Sequence, residues 1–108
     1  MAPETIPALL EQIDELLAEP AEEPASLARL ERTLTDGYAY ALALESERWR
    51  LEQRMSELAS ELTDGNHELK SQELAQVSSS LATNAAALKD LRATLTRLRA
   101  RATAVRGT

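Results

Sequence analysis

The 108-residue chain contains no cysteine and no phenylalanine, and only three glycines and four prolines. Without cysteine there are no disulfides and no thiolate metal sites, and the composition fits a reducing compartment. One tryptophan and two tyrosines are the whole aromatic complement, which leaves little from which to build a sheet. Positive charge is in deficit as well: 12 lysines and arginines against 18 acids give a formal net charge of -6. A general binder of nucleic acid or anionic membrane needs the opposite balance, because it must release counterions or meet headgroups.

Long hydrophobic runs are missing too. The longest, Tyr38 to Leu44, is far short of the roughly 20 residues that cross a bilayer. The opening stretch MAPETIPALLEQIDELL has no basic segment and carries acids within its apolar part, so it does not read as a signal peptide. The expectation is a soluble, cytoplasmic protein without membrane contact. Chemistry-bearing motifs are equally sparse: there is no Gly-rich phosphate loop, nucleophile elbow or acid–base dyad. Helical di-iron sites use Glu-x-x-His motifs, and none is present. His67, the one histidine, falls in a predicted turn near Glu61 and Asp64 and reads as a solvated surface residue. The sequence therefore predicts no catalytic, cofactor-binding or metal-binding residue, and a protein that is not an enzyme.

What remains is rich in Leu, Ala, Glu and Arg, the profile of long amphipathic helices in one domain with a small core. Ile6, Leu9, Leu10, Ile13, Leu16 and Leu17 place apolar side chains on one face of a helix over about 6–18. Thr5 is its predicted N-cap, and Pro7 lies in the first turn, where the missing N–H costs nothing. An acidic linker with Pro20 and Pro24 follows over about 19–25, since neither proline can continue the helix.

From Leu27 the apolar positions advance by alternating steps of three and four: Leu27, Leu30, Leu34, Gly37, Ala41, Leu44, Arg48, Leu51, Met55, Leu58, Leu62. This heptad seam predicts a second helix over about 26–63. The tetrapeptide Leu-Thr-Asp-Gly occurs twice, at 34–37 and 62–65, four whole heptads apart. The seam keeps its phase through the first copy, so Gly37 is predicted inside the helix, at a cost of about 1 kcal/mol relative to Ala; a kink there is the alternative. Beyond the second copy the phase breaks and a new seam begins: Leu74, Val77, Leu81, Asn84, Leu88, Leu91, Leu95, Leu98, Ala102, Val105. A turn at 64–66 is predicted, with Gly65 left-handed and Asn66 capping a third helix over about 67–105.

So short a turn forces the long helices antiparallel. Reflection about it sets Gly37 near Leu95, Leu62 near Leu69, and the two polar interruptions, Arg48 and Asn84, near each other as a register-selecting layer. Charge is segregated: residues 4–23 hold seven acids and no base, whereas 89–106 hold Lys89, Arg92, Arg97, Arg99, Arg101 and Arg106 against Asp90 alone. Helix one is expected to dock beside that basic end, its apolar face holding it and the charge match orienting it. The predicted fold is all-α: a long, coiled-coil-like antiparallel hairpin with the short N-terminal helix docked at its open end as a three-helix bundle, able to form a four-helix or larger bundle on dimerisation.

Off the main seam, Tyr38, Leu42 and Trp49 form a second apolar stripe. Tyr38 and Leu42 are placed to receive helix one; Trp49 lies beyond its reach. The third helix opposite carries small side chains in SSSLATNAAAL, which either accommodate Trp49 within the chain or form a shallow groove for a second hairpin or partner helix. Tyr38, Leu42, Trp49, Ala82, Ala85 and Ala86 are accordingly the candidate partner-binding residues. The functional expectation is a non-enzymatic interaction module, a scaffold, adaptor or chaperone-like hairpin that forms a homodimer or binds a helical protein. The alternative is a nucleic-acid accessory role for the Arg-rich end, which the missing base-stacking aromatics argue against. In layout alone the chain resembles small secreted hairpin proteins with a Trp-x-Gly turn, and flagellar export chaperones. Here, however, the turn reads Thr63-Asp64-Gly65-Asn66 and Trp49 sits inside a helix.

Overall fold

The computed structural model describes residues 5–18, 24–62, 65 and 67–107. Residues 19–23 of the linker expected over 19–25, together with Thr63, Asp64 and the Asn66 cap, lie outside the described residues. Three helices follow one another, α1 (Ile6–Ala18), α2 (Pro24–Glu61) and α3 (His67–Arg106), with no strand among the described residues. None of these helices is long and apolar enough to cross a membrane. α1 occupies the predicted span and starts as its sequence suggests: the Thr5 hydroxyl accepts from the Ala8 amide at 3.2 Å and the Thr5 carbonyl from the Leu9 amide at 3.0 Å. α2 begins two residues earlier than its apolar periodicity predicts, at Pro24, because a proline fits the first position of a helix without loss of a hydrogen bond.

The chain forms two compact units, and α2 and α3 each contribute to both. The first comprises residues 1–42 and 89–108 and is a three-helix bundle. Its core is Leu9, Ile13 and Leu16 of α1, Leu30, Thr33 and Ala41 of α2, and Leu91, Leu95, Leu98 and Ala102 of α3. Each fully buried leucine or isoleucine of α1 removes from water a side chain worth about 2 kcal/mol, so apolar burial is what holds the helix. One polar contact adds to it. The Gln12 amide Nε2 donates to the Thr33 hydroxyl at 3.0 Å, which satisfies a hydroxyl with no solvent exposure.

The expectation that α1 lands on Tyr38 and Leu42 is corrected here. They remain 48% and 64% exposed. Thr33 marks the side of α2 that α1 covers, and at about 100° per residue Tyr38 and Leu42 point roughly 140° and 180° away from it. Of the acids expected to match the basic end, Glu4, Glu19, Glu22 and Glu23 lie outside the described residues. Glu11, Asp14 and Glu15 of α1 are exposed, and the described ion pair of this unit joins α2 to α3, with Arg106 donating to Glu31.

Gly37 is buried inside the unbroken α2, and a β-carbon there would collide with Leu95 Cδ2 and stand 3.3 Å from Leu95 Cγ. The glycine is the notch that lets Leu95, itself almost fully buried, lie against the backbone of α2.

The second unit, residues 43–88, is the antiparallel pair formed by the rest of α2 and α3. Leu44, Leu58, Val77 and Leu88 are buried in it. Gly65 takes φ of 109°, a backbone conformation that residues with a β-carbon rarely adopt, and so turns the chain as predicted. The Glu61 carbonyl, one of the acceptors α2 leaves open at its C-terminus, is met by the Lys70 ammonium at 3.1 Å. Leu69, expected opposite Leu62, is instead 67% exposed, because the first turn of α3 directs Lys70 rather than Leu69 toward the end of α2. One helical turn on, Arg54 grips Glu73 with two parallel bonds, Nε to Oε1 and Nη2 to Oε2, both 2.9 Å, while Nη1 donates to Glu57 at 3.1 Å.

Two outcomes follow. Gly37→Ala gains about 1 kcal/mol of helix propensity but overpacks a filled core, which costs typically 1–3 kcal/mol. Urea unfolding is expected to show net destabilisation, and Leu95→Ala is expected to cost less in the Gly37→Ala background than in the wild type. The second concerns pH. The Arg54 guanidinium holds the Glu73 carboxyl below the usual carboxylate range, partly opposed by desolvation. A depressed folded-state pKa contributes stability above the unfolded value and loses it as pH falls through the folded one. Acid titration followed by circular dichroism should therefore destabilise the wild type more steeply below the ordinary glutamate range than it does Glu73→Gln.

Candidate partner-binding surfaces

In the hairpin unit the structure places Trp49 in mid-helix with 62% of its surface exposed. Ala82, Ala85 and Ala86 on α3 are exposed as well. Small side chains on α3 therefore do not cover the indole within the chain. Among the described residues the other exposed large hydrophobics are Tyr38 and Leu42 in the three-helix unit and Leu69 near the turn. Every candidate partner-binding residue named from the sequence is thus accessible, but they are divided between the two units.

The polar layer is not the facing pair that the heptad phase predicts. Asn84 is 3% exposed, and its Nδ2 donates to the main-chain carbonyl of Leu44 at 2.9 Å. That carbonyl has a second lone pair beyond its helical bond, so the contact costs α2 nothing. Arg48 turns away. It is half exposed, and its Nε donates to Glu52 one turn along the same helix at 2.8 Å. A guanidinium keeps its long stem flexible and its charge in water, and desolvating it against a neutral amide costs more than an exposed intrahelical pair. Asn84 Oδ1 is left buried with no hydrogen-bond partner among the described residues.

Beside Asn84 the hairpin unit has a shallow groove of about 250 Å³ bounded by Leu44 and Glu47 of α2 and by Ser80, Thr83 and Ala87 of α3. Its walls are short because serine, threonine and alanine occupy the α3 side. Such side chains permit close approach by another helix. In the three-helix unit a separate pocket of about 410 Å³ lies between Leu34 and Tyr38 of α2 and Arg99, Thr103 and Arg106 of α3. The sequence reading places Leu34 in the seam and Tyr38 off it; it does not foresee that they share a pocket with two arginines. The signal was present in the seven-residue spacing of Arg92, Arg99 and Arg106, which sets them on one flank of α3.

Among the described residues no group of three or more His, Cys, Asp or Glu is placed to hold a metal ion. The charged cluster of Arg54 with Glu73 and Glu57 clamps α2 to α3 and lines neither groove.

The orphaned Asn84 oxygen gives a direct stability test. An unpartnered buried acceptor costs on the order of 1–3 kcal/mol. Asn84→Leu is expected to raise stability by about 1 kcal/mol in urea unfolding while keeping a single set of amide resonances, since the alignment is held by other contacts. Comparison with protein-family models, curated proteins and solved structures finds no match to this chain.

Proposed function

We propose that the chain is a non-enzymatic protein–protein interaction module, a scaffold-, adaptor- or chaperone-like helical hairpin that acts by coiled-coil packing and pairs with a second copy of itself through the hairpin unit. The observation that carries this reading is Trp49, a large aromatic held 62% exposed on a regular helix. Buried tryptophans are favoured anchors at interfaces, because they bring large contact area at little cost in conformational entropy. The groove bounded by Ser80, Thr83 and Ala87 supports the same reading, since it offers a second hairpin a surface on which helix axes can approach closely. Two hairpins joined in this way make a four-helix arrangement, a common solution for chains whose own core is small. A cytoplasmic location belongs to the same proposal and rests on the cysteine-free, acidic composition.

Light scattering tests it. The wild type is expected to run at twice its 11.8 kDa chain mass at micromolar concentration, with Trp49 emission shifted to the blue. Trp49→Ala should weaken the dimer by at least about tenfold while leaving the helical signal intact. A monomer up to about 100 μM with solvent-exposed tryptophan emission would overturn the proposal.

A further inference from the structure

The three-helix unit buries one side of α2 under α1 and leaves the opposite side open. Tyr38 and Leu42 lie there, half to two-thirds exposed, and Leu34 forms the floor of the pocket that Tyr38 shares with Arg99, Thr103 and Arg106. Leu34, Tyr38 and Leu42 recur every four residues, the spacing that meets a helix lying along the groove. Arg99 and Arg106 recur every seven, about 10.5 Å apart along α3. Their charges are compensated unequally: Arg106 is engaged by Glu31, whereas Arg99 has no ion pair among the described residues. In a chain of net charge -6, a groove with Leu34 and Tyr38 on its α2 side and Arg99, Thr103 and Arg106 on its α3 side, where Arg99 has no ion pair among the described residues, is a local reversal of sign.

We infer that this groove is a docking site for an acidic amphipathic helix of a partner protein, seated on Leu34, Tyr38 and Leu42 with carboxylates seven residues apart directed at Arg99 and Arg106. The chemistry of such a partner is exemplified within the chain. α1 has an apolar face of Leu9, Ile13 and Leu16, carries Glu11, Asp14 and Glu15 without a base, and already packs against this same three-helix unit from the other side. Glu4 and Glu11 of the same segment stand seven residues apart. The inference rests on the reading of the chain as an interaction module, but it uses a different surface from Trp49.

The probe is a fluorescent synthetic peptide with the sequence of residues 4–18, titrated into the full-length chain by anisotropy. Saturable binding is expected, with amide shifts at Tyr38, Leu42 and Thr103. Arg99→Glu should weaken it about tenfold, and a peptide with Glu4 and Glu11 replaced by Lys should bind the Arg99→Glu protein better than the original peptide does. Arg99 is exposed, so this variant is expected to fold, as the helical signal checks. No binding up to millimolar peptide overturns the inference. So does binding indifferent to Arg99, which means that the peptide exchanges with α1 in its own groove. Displacement of the peptide by a single-stranded oligonucleotide would reassign the surface to nucleic acid. Repeating the titration on Trp49→Ala separates the two proposals: binding there is unchanged whether or not the chain dimerises.

Discussion

Burial of one apolar stripe of α2 against one of α3 is the constraint on which the rest depends. In the three-helix unit the stripe is Leu30 and Ala41 facing Leu91, Leu95, Leu98 and Ala102; in the hairpin unit it is Leu44 and Leu58 facing Val77 and Leu88. Once those rows face each other, the remaining surface of each long helix has only three options: a third helix, intrahelical ion pairs, or solvent. α1 takes the first along one side of the three-helix unit. Arg48 with Glu52 takes the second. Tyr38, Leu42 and Trp49 are left with the third, and that remainder is where partnership is argued.

Periodicity made the helices legible because it reports the same physics that forms them. The span of α1, the continuity of α2 through Gly37 and the turn at Gly65 all follow from where the apolar phase holds and where it breaks. Gly37 and Gly65, the last residues of the two Leu-Thr-Asp-Gly copies, adopt different conformations since glycine supplies permission to turn, and the surrounding seam decides whether that permission is used. Side-chain destinations were less legible. Thr33 lies off the heptad seam, yet it is fully buried, with Gln12 of α1 donating to its hydroxyl. Arg48 occupies a seam position by count and leaves it by flexibility. The hydrophobicity of Tyr38 and Leu42 points to α1, whereas α1 covers the side of α2 that Thr33 marks.

The charge pattern shows the same division. The Arg106–Glu31 contact joins α2 to α3, while Glu11, Asp14 and Glu15 of α1 are exposed. Exposed ion pairs contribute a few tenths of a kcal/mol each, so they follow the packing and do not lead it. α1 is placed by Leu9, Ile13 and Leu16, and its acids remain in water. Arg99 has no ion pair among the described residues, and Tyr38 of α2 shares its pocket.

A leucine seam by itself is degenerate, since a slip of seven residues restores leucine against leucine almost everywhere. The alignment is fixed by the few positions that a slip does not restore. Moving α3 by one heptad sets Leu95 against Leu30 or Leu44 in place of Gly37, and each has a side chain where the notch requires none. The same slip takes Glu73 away from Arg54 and Glu31 away from Arg106. Asn84 does not discriminate in this way, for a main-chain carbonyl is available at every turn of α2; what it penalises is any arrangement that leaves its amide without one. Register therefore rests on the shape of Gly37 first and on the Arg54 clamp second. The buried oxygen of Asn84 is a standing cost that the shape of the seam does not require. A residue that weakens the monomer without being needed for its alignment is better placed to serve a surface than a core, and it lies in the wall of the open groove of the hairpin unit.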